Sequence, residues 1–231
     1  MLILFPKGSV LIKPMTEHKE KQIKTKTRVA AFGEVFTAER EVQAMLDLVK
    51  DEAERLESRF LEPACGDGNF LGAILKRKLS TLKNRYKAKK EDFEVNLLIT
   101  LGSIYAIDLL ADNIETARSR LFDLALNAYK NTFRTLPDAT YQKIMCFVLE
   151  KNILQGDSLN GIDKIVFTQW SALGYQIKRE EYSFKQMNSE GDIAALPLFS
   201  VALDENNHPV FFPKPLKVYP FTYYKNLLEI E

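Results

Sequence analysis

Apolar residues change their spacing several times along this 231-residue chain, and each change predicts an element. In "AEREVQAMLDLVKDEAERL", Val42, Met45, Leu46 and Val49 recur at helical intervals. That predicts a helix opening at Glu39 or Arg40, with Thr37 as its N-cap. "SRFLEP" reads as a short strand. From about Asn69 a helix runs into the lysine-rich "KRKLSTLKNRYKAKKEDFE", and the apolar run "VNLLITLGSIYAIDLL" ends as a strand around Ile104–Ile107. "ADNIETARSRLFDLALNAYKNTF" is a long amphipathic helix and "TYQKIMCFVLEKN" another. Strands follow at Ile153–Leu154 and at Lys164–Phe167. Alternation of this kind predicts an α/β fold, a mostly parallel sheet with helices on both faces, whose ligands sit at the carboxyl ends of the strands.

The ends of the chain are patterned differently. Residues 1–27 finish in the basic, polar "TEHKEKQIKTKT" and read as a flexible arm that orders on a partner. Residues 28–181 carry the alternating pattern. Residues 182–231, with "FFPKPLKVYPFTYY", read as an irregular extension packed on the core or on a partner.

Composition narrows the class of protein. Hydrophobic residues make up 46% and charged residues 27%, as in ordinary globular domains. With 32 Lys plus Arg against 31 Asp plus Glu, the net charge of +1 sets up no global field, so any nucleic-acid contact needs a local basic patch. Such a patch is offered by residues 76–90, which also fit a solvated helix face. Two cysteines are too few for a disulfide framework and fit a reducing, cytoplasmic setting. The start lacks the features of a signal peptide, and no apolar run reaches the roughly 18 residues of a membrane span. His18 and His208 have no metal-ligand companions in sequence, so no metal is expected.

Candidate chemistry gathers at three strand ends. In "EPACGDG", Gly66 and Gly68 let the backbone approach a ligand closely, and the next helix offers its N–H groups and positive dipole end. Asp108 sits at the tip of the next strand, where a carboxylate can accept from two ribose hydroxyls. It can equally cap a helix, although Asp112 with Glu115 offers a capping box of its own. Asp157 in "NILQGDSL" can accept from an exocyclic amine or hold an Asx-turn. Together the three corners describe a pocket for a ribonucleoside carrying an anionic group.

With these residues in hand, the chain resembles the S-adenosylmethionine-dependent DNA methyltransferases, especially the adenine-N6 type of restriction–modification systems. "EPACGDGNFL" is similar to the glycine loop those enzymes fold around the methionine moiety, "YAIDLLADNI" to the segment whose acid holds the ribose, and "NILQGDSL" to the segment whose Asp meets the adenine amine. "FGEVFTAEREV" is similar to their upstream segment. The resemblance implies a Rossmann-like methyltransferase fold over residues 28–181 with S-adenosyl-L-methionine as cofactor. It implies cofactor contacts from Phe36, Thr37, Glu62, Pro63, Ala64, Gly66, Gly68, Asn69, Asp108, Leu109, Asp157 and Ser158. DNA is the implied partner, together with a specificity or restriction subunit, in restriction–modification or phage defence.

Departures from the family pattern matter most at the catalytic loop. The N-P-P-Y motif of the adenine-N6 enzymes is absent, and "FTQW" stands after "DKIV". By alignment Thr168, Gln169 and Trp170 are the catalytic candidates: Gln169 to accept from the target amine, Trp170 to stack on a flipped base. The same four residues also fit a strand end with a core tryptophan. An active methyltransferase and a catalytically silent, cofactor- or DNA-binding subunit of the same fold therefore both remain open. Asp67 replaces a small hydroxyl residue and adds a charge at the loop, and Cys65 fits a small buried position.

Overall fold

The computed structural model describes residues 38–185, 202–203, 209–210 and 214–230. The expected arm at 1–27, the candidates Phe36 and Thr37, and both histidines lie outside the described residues. The first helix, α1 (Glu39–Leu48), opens where the apolar spacing predicts, with Ala38 in the cap position and Val42 and Leu46 buried. A short helix α2 (Lys50–Glu54) leads to strand β1 (Phe60–Glu62).

Where one long helix is expected, two form. Helix α3 (Asn69–Tyr86) ends at the lysine-rich stretch, Lys89 takes an extended backbone, and α4 (Lys90–Gly102) starts afresh. No Gly or Pro marks that break, so only packing reveals it. Helix α4 is buried nearly all round from Phe93 to Gly102, which is why "VNLLITL" shows no polar face. Strand β2 (Ile104–Asp108), α5 (Ala111–Phe133), α6 (Ala139–Asn152) and β3 (Ile153–Gln155) follow as the pattern predicts. Asp138 caps α6, accepting from the Tyr141 N–H at 2.8 Å. The capping box expected at Asp112 does not form: the cap position of α5 is Leu110, which makes no side-chain cap bond.

Strands β1, β2 and β3 make a parallel sheet with β2 in the middle. Phe60 pairs with Ile104, and Asp108 with Gln155. Strand alternation then sorts the side chains. Phe60, Ile104, Ala106 and Ile153 face the helices and join the main core, in which each fully buried Leu, Ile or Phe contributes about 1.5–3 kcal/mol. Tyr105, Ile107 and Leu154 point the other way.

That second face departs from expectation. It is covered by Phe167 of a separate antiparallel sheet and by Ile165 and Phe184, which flank that sheet's two long strands. The strand expected at Lys164–Phe167 is instead β4 (Val166–Leu173), preceded by a 3₁₀ turn at Ile162–Lys164. It pairs along its whole length with β5 (Gln176–Ser183) across a two-residue turn in which Gly174 has φ +60°. Strands β6 (Ala202–Leu203) and β7 (Pro209–Val210) pair with each other, while β8 (Lys217–Val218) and β9 (Thr222–Tyr223) both add to β5. The fold is thus α/β with a parallel three-stranded sheet, but it is not mostly parallel, and a sheet takes the place of helices on one face. Among the described residues, no helix is long and apolar enough to cross a membrane.

Candidate functional site

The carboxyl ends of β1, β2 and β3 meet through a short set of hydrogen bonds. After Glu62 the chain turns through Pro63 and Ala64, both exposed, and Cys65 N–H donates to the Ile107 carbonyl at 3.0 Å. Gly66 (φ +54°) then donates its N–H to Asp108 Oδ2 at 2.8 Å. Gly68 (φ +79°) starts α3 from the left-handed region, and a Cβ there would lie 2.8 Å from that of Ala117. Glycine is required at Gly68 both by conformation and by the close approach of α5.

Asp108 is the hub. Besides Gly66 N–H, its carboxylate accepts from Leu110 N–H at 2.9 Å and from Asn113 Nδ2 at 3.1 Å, while its backbone carbonyl accepts from Gly156 N–H at 2.9 Å. One residue therefore ties the glycine corner, the start of α5 and the end of β3. The carboxylate is not held in reserve for a ligand: it performs the local turn-holding task and faces the corner at once.

Charge around the corner is mainly acidic. Burial above all, then the nearby Asp108, Glu62 and Asp67 carboxylates, push the Cys65 thiol up to about 12, so Cys65 is an un-ionised, buried side chain rather than a nucleophile. Burial also raises Glu62, against the opposing hydrogen bond from the Ala64 backbone. Asp67 brings less charge than its identity implies. Arg120 Nη2 pairs with its Oδ2 at 2.8 Å, and Arg120 Nε donates to its backbone oxygen at 3.1 Å. Sequence reading misses Arg120 because it lies 53 positions away; Asn113, in the first turn after Asp108, is the nearer signal.

Asp157 lies beside this hub in sequence, next to Gly156, but its oxygens serve its own loop. Oδ1 accepts from Leu159 and Asn160 N–H groups at 2.9 Å each, and Oδ2 from Asn160 Nδ2 at 3.2 Å. Those backbone donors, Asn160 first, hold its carboxyl below the usual range. Leu109 is exposed, and Asn69 and Ser158 are partly so.

The catalytic candidates are elsewhere. Strand β4 begins beside the hub, with Ile165 against Gly156 and Ile107, and runs away from it. At Thr168 the backbone has reached Tyr105 and Asn152: its carbonyl accepts from Tyr105 Oη at 3.2 Å, and its N–H donates to Asn152 Oδ1 at 3.0 Å. Trp170 lies against Gly102, ahead of the first residue of β2, with its ring 6.0 Å from that of Phe147. Trp170 lies five steps along the extended chain from Ile165, roughly 16 Å at about 3.3 Å per residue. Thr168 and Trp170 are 2% and 7% exposed, and Gln169 is half-buried. "FTQW" is thus the interior of a paired strand, at the opposite end of the sheet from the glycine corner.

The basic stretch is also thinner than its composition. Lys78 is fully buried, and Arg77 bonds to Asp47 and Gln43. Comparison with protein-family models, with curated proteins and with solved structures finds no match to this chain.

Proposed function

We propose that the chain is a methyltransferase-like subunit that holds S-adenosyl-L-methionine at the corner between β1 and α3. In this reading it serves DNA methylation at adenine N6, in a restriction–modification or phage-defence assembly, as the cofactor- and DNA-binding partner of another chain. One observation carries the reading: the Gly66 N–H to Asp108 carboxylate bond, at 2.8 Å, joins a double-glycine corner to an acid at the neighbouring strand end. Asp108 Oδ2, which accepts from Gly66 N–H, has room for one ribose hydroxyl beside that bond, and the acidic surroundings of Cys65 suit a cationic sulfonium and ammonium. Pro63, Ala64 and the first turn of α3 are the surfaces such a ligand would meet. The Rossmann-like methyltransferase fold belongs to the same proposal, with β1–β2–β3 as its cofactor half.

The partner role, rather than a complete enzyme, is favoured by the course of β4. Methyl transfer to an exocyclic amine relies on positioning the amine in line with the sulfonium methyl. Thr168, Gln169 and Trp170 run away from the corner and are largely buried, so the contacts that present the base come from a second chain.

Calorimetric titration with S-adenosyl-L-methionine tests the cofactor half. Saturable binding that Asp108→Ala weakens at least tenfold, in a variant that still melts cooperatively, is expected. No binding at millimolar cofactor would overturn it. Methyl transfer from labelled cofactor to DNA tests the other half: the purified chain alone should transfer nothing. Transfer that Gln169→Ala abolishes would make this chain an enzyme in its own right.

A further inference from the structure

Beyond the cofactor corner, the structure joins two features that lie far apart in sequence. The last turn of α3 carries Lys83 and Arg85, the turn that follows carries Lys87 and Lys89, and Lys90 opens α4, all five exposed. Lys89 reaches Tyr175, at the tip of the β4–β5 hairpin. Its Nζ bonds to the phenol oxygen and lies 5.2 Å from the ring centroid. The Tyr175 carbonyl in turn accepts from Tyr224 N–H at 3.0 Å, and Tyr224 abuts Tyr223, a residue 43% exposed. Lys90 and Lys225 approach from the two sides of Glu94, at 3.9 and 3.7 Å.

The acids within this patch are mostly occupied. Glu94 is 1% exposed and accepts from Tyr129 and Tyr224 hydroxyls at 2.7 and 2.6 Å, while Asp92 accepts from Tyr175 and pairs with Lys89. What faces solvent is a group of cations around the α3–α4 turn, with Lys225 of the C-terminal segment half-exposed, Glu91 the exposed acid beside Lys90, and Tyr223 exposed next to Tyr224. The patch lies beyond the amino end of the parallel sheet, past Trp170 along β4, and so away from the cofactor corner.

We propose that this patch is a docking surface for single-stranded nucleic acid. The lysines neutralise backbone phosphates, and Tyr223 offers a face on which a base stacks. The chemistry fits a polyanion with planar groups: a purely acidic polypeptide such as polyglutamate has the charge but no planar group to stack on the ring. The proposal deepens the DNA-binding part of the function proposed above. It does not depend on the cofactor corner, so an Asp108 variant keeps this surface whatever it does to S-adenosylmethionine binding.

The test uses the full chain and labelled 20-nucleotide oligonucleotides of mixed sequence, single-stranded and duplex, in fluorescence anisotropy from about 50 to 200 mM salt. Single-stranded binding should weaken steeply with salt. Lys87→Gln with Lys90→Gln should weaken it about tenfold or more and flatten the log–log salt slope by about 1–1.5, since each phosphate contact on a single strand contributes roughly 0.7. A charge-matched control elsewhere, Lys164→Gln with Lys185→Gln, should change affinity less than threefold. Tyr223→Ala, checked by thermal melt, should weaken the single strand about fivefold or more and leave its salt slope unchanged. The proposal is overturned by no binding at 50 mM salt, by an equal loss in the control, by duplex bound as tightly with Tyr223→Ala silent, or by polyglutamate competing as well as the oligonucleotide.

Discussion

Lys78 makes the stability of this fold depend on pH in a way that can be worked from the structure. Its ammonium is wholly buried on α3 and donates to the Leu56 and Ser58 carbonyls and to Ser103 Oγ, so it ties the entry to β1 to the entry to β2. Burial pulls it down from 10.5 to about 7, against the weaker opposing pull of Glu57 and Glu52. Because the folded value lies below the unfolded one, the unfolded chain binds the extra proton between about pH 7 and 10.5. Stability therefore rises with pH across that window and is flat below it. At about 1.4 kcal/mol per pH unit above the folded midpoint, where the group is half deprotonated, raising the pH from 6 to 9 should strengthen the fold by about 2.7 kcal/mol, or about 5–11 °C in Tm for a chain of this size. Lys78→Met removes the titrating group at similar volume and leaves every other pH effect in place. The quantity to measure is the difference between the two melting profiles from pH 6 to 9. It should change by that amount, in favour of wild type at high pH. Parallel profiles would refute the reasoning, and would mean that the three oxygen acceptors hold the ammonium as well as water does.

Three further substitutions test the corner and the core. Gly68→Ala forces an L-residue to φ +79° and drives its Cβ to 2.8 Å from that of Ala117; we expect a loss of about 2–5 kcal/mol in denaturant unfolding, together with loss of S-adenosylmethionine binding. Asp108→Asn must turn its amide hydrogens toward Gly66 N–H or toward the Leu110 and Asn113 donors, so one donor is left facing another; a cost of about 1–3 kcal/mol should appear in the same measurement. Tyr224→Phe removes the 2.6 Å bond to Glu94 while keeping the ring, and should lower stability by about 1.5–3 kcal/mol with no effect on cofactor binding.

What the sequence discloses follows from the range of the forces involved. Periodicity locates α1, α5 and α6 because each buries one stripe, and the three strand-end corners are legible because glycine and aspartate there answer local backbone needs. Asp108 shows how far local reading reaches. Its place at a strand tip is plain, but its bond to Gly66 joins residues 42 positions apart. The α3–α4 break is hidden because Lys87–Lys89 holds no helix stop signal and the next helix is too buried to show a polar face. Strand β5 is hidden because half of "QIKREEYS" is charged, with only Ile177 and Arg179 buried. Its turn, Gly174–Tyr175 between two extended runs, is the signal that local reading could have used. Lys78 stands in a fifteen-residue stretch with eight basic residues that reads as surface, and only its bonds to Leu56, Ser58 and Ser103 tell it apart from Lys76 or Lys83.

The course of β4 also bears on whether a bound ligand could bring Thr168, Gln169 and Trp170 to the corner. All eight residues from Val166 to Leu173 are paired with β5, in a register set by the tight turn at Gly174. Bringing Trp170 out would strip it from Phe147 and Gly102 and would pull Phe167 from Tyr105, where the rings meet edge to face at 5.2 Å. Emptying a buried Phe or Trp site costs about 3–5 kcal/mol, so the pair costs about 6–10 before any backbone bond is broken. A ligand shifts a conformational equilibrium only by its differential affinity for the two states, and the whole binding energy of a micromolar ligand is about 8 kcal/mol. Cofactor binding alone therefore cannot remodel β4. The strand that would have to present the base is instead what seals the second face of the parallel sheet, and under the proposed function that structural task leaves presentation of the base to another chain.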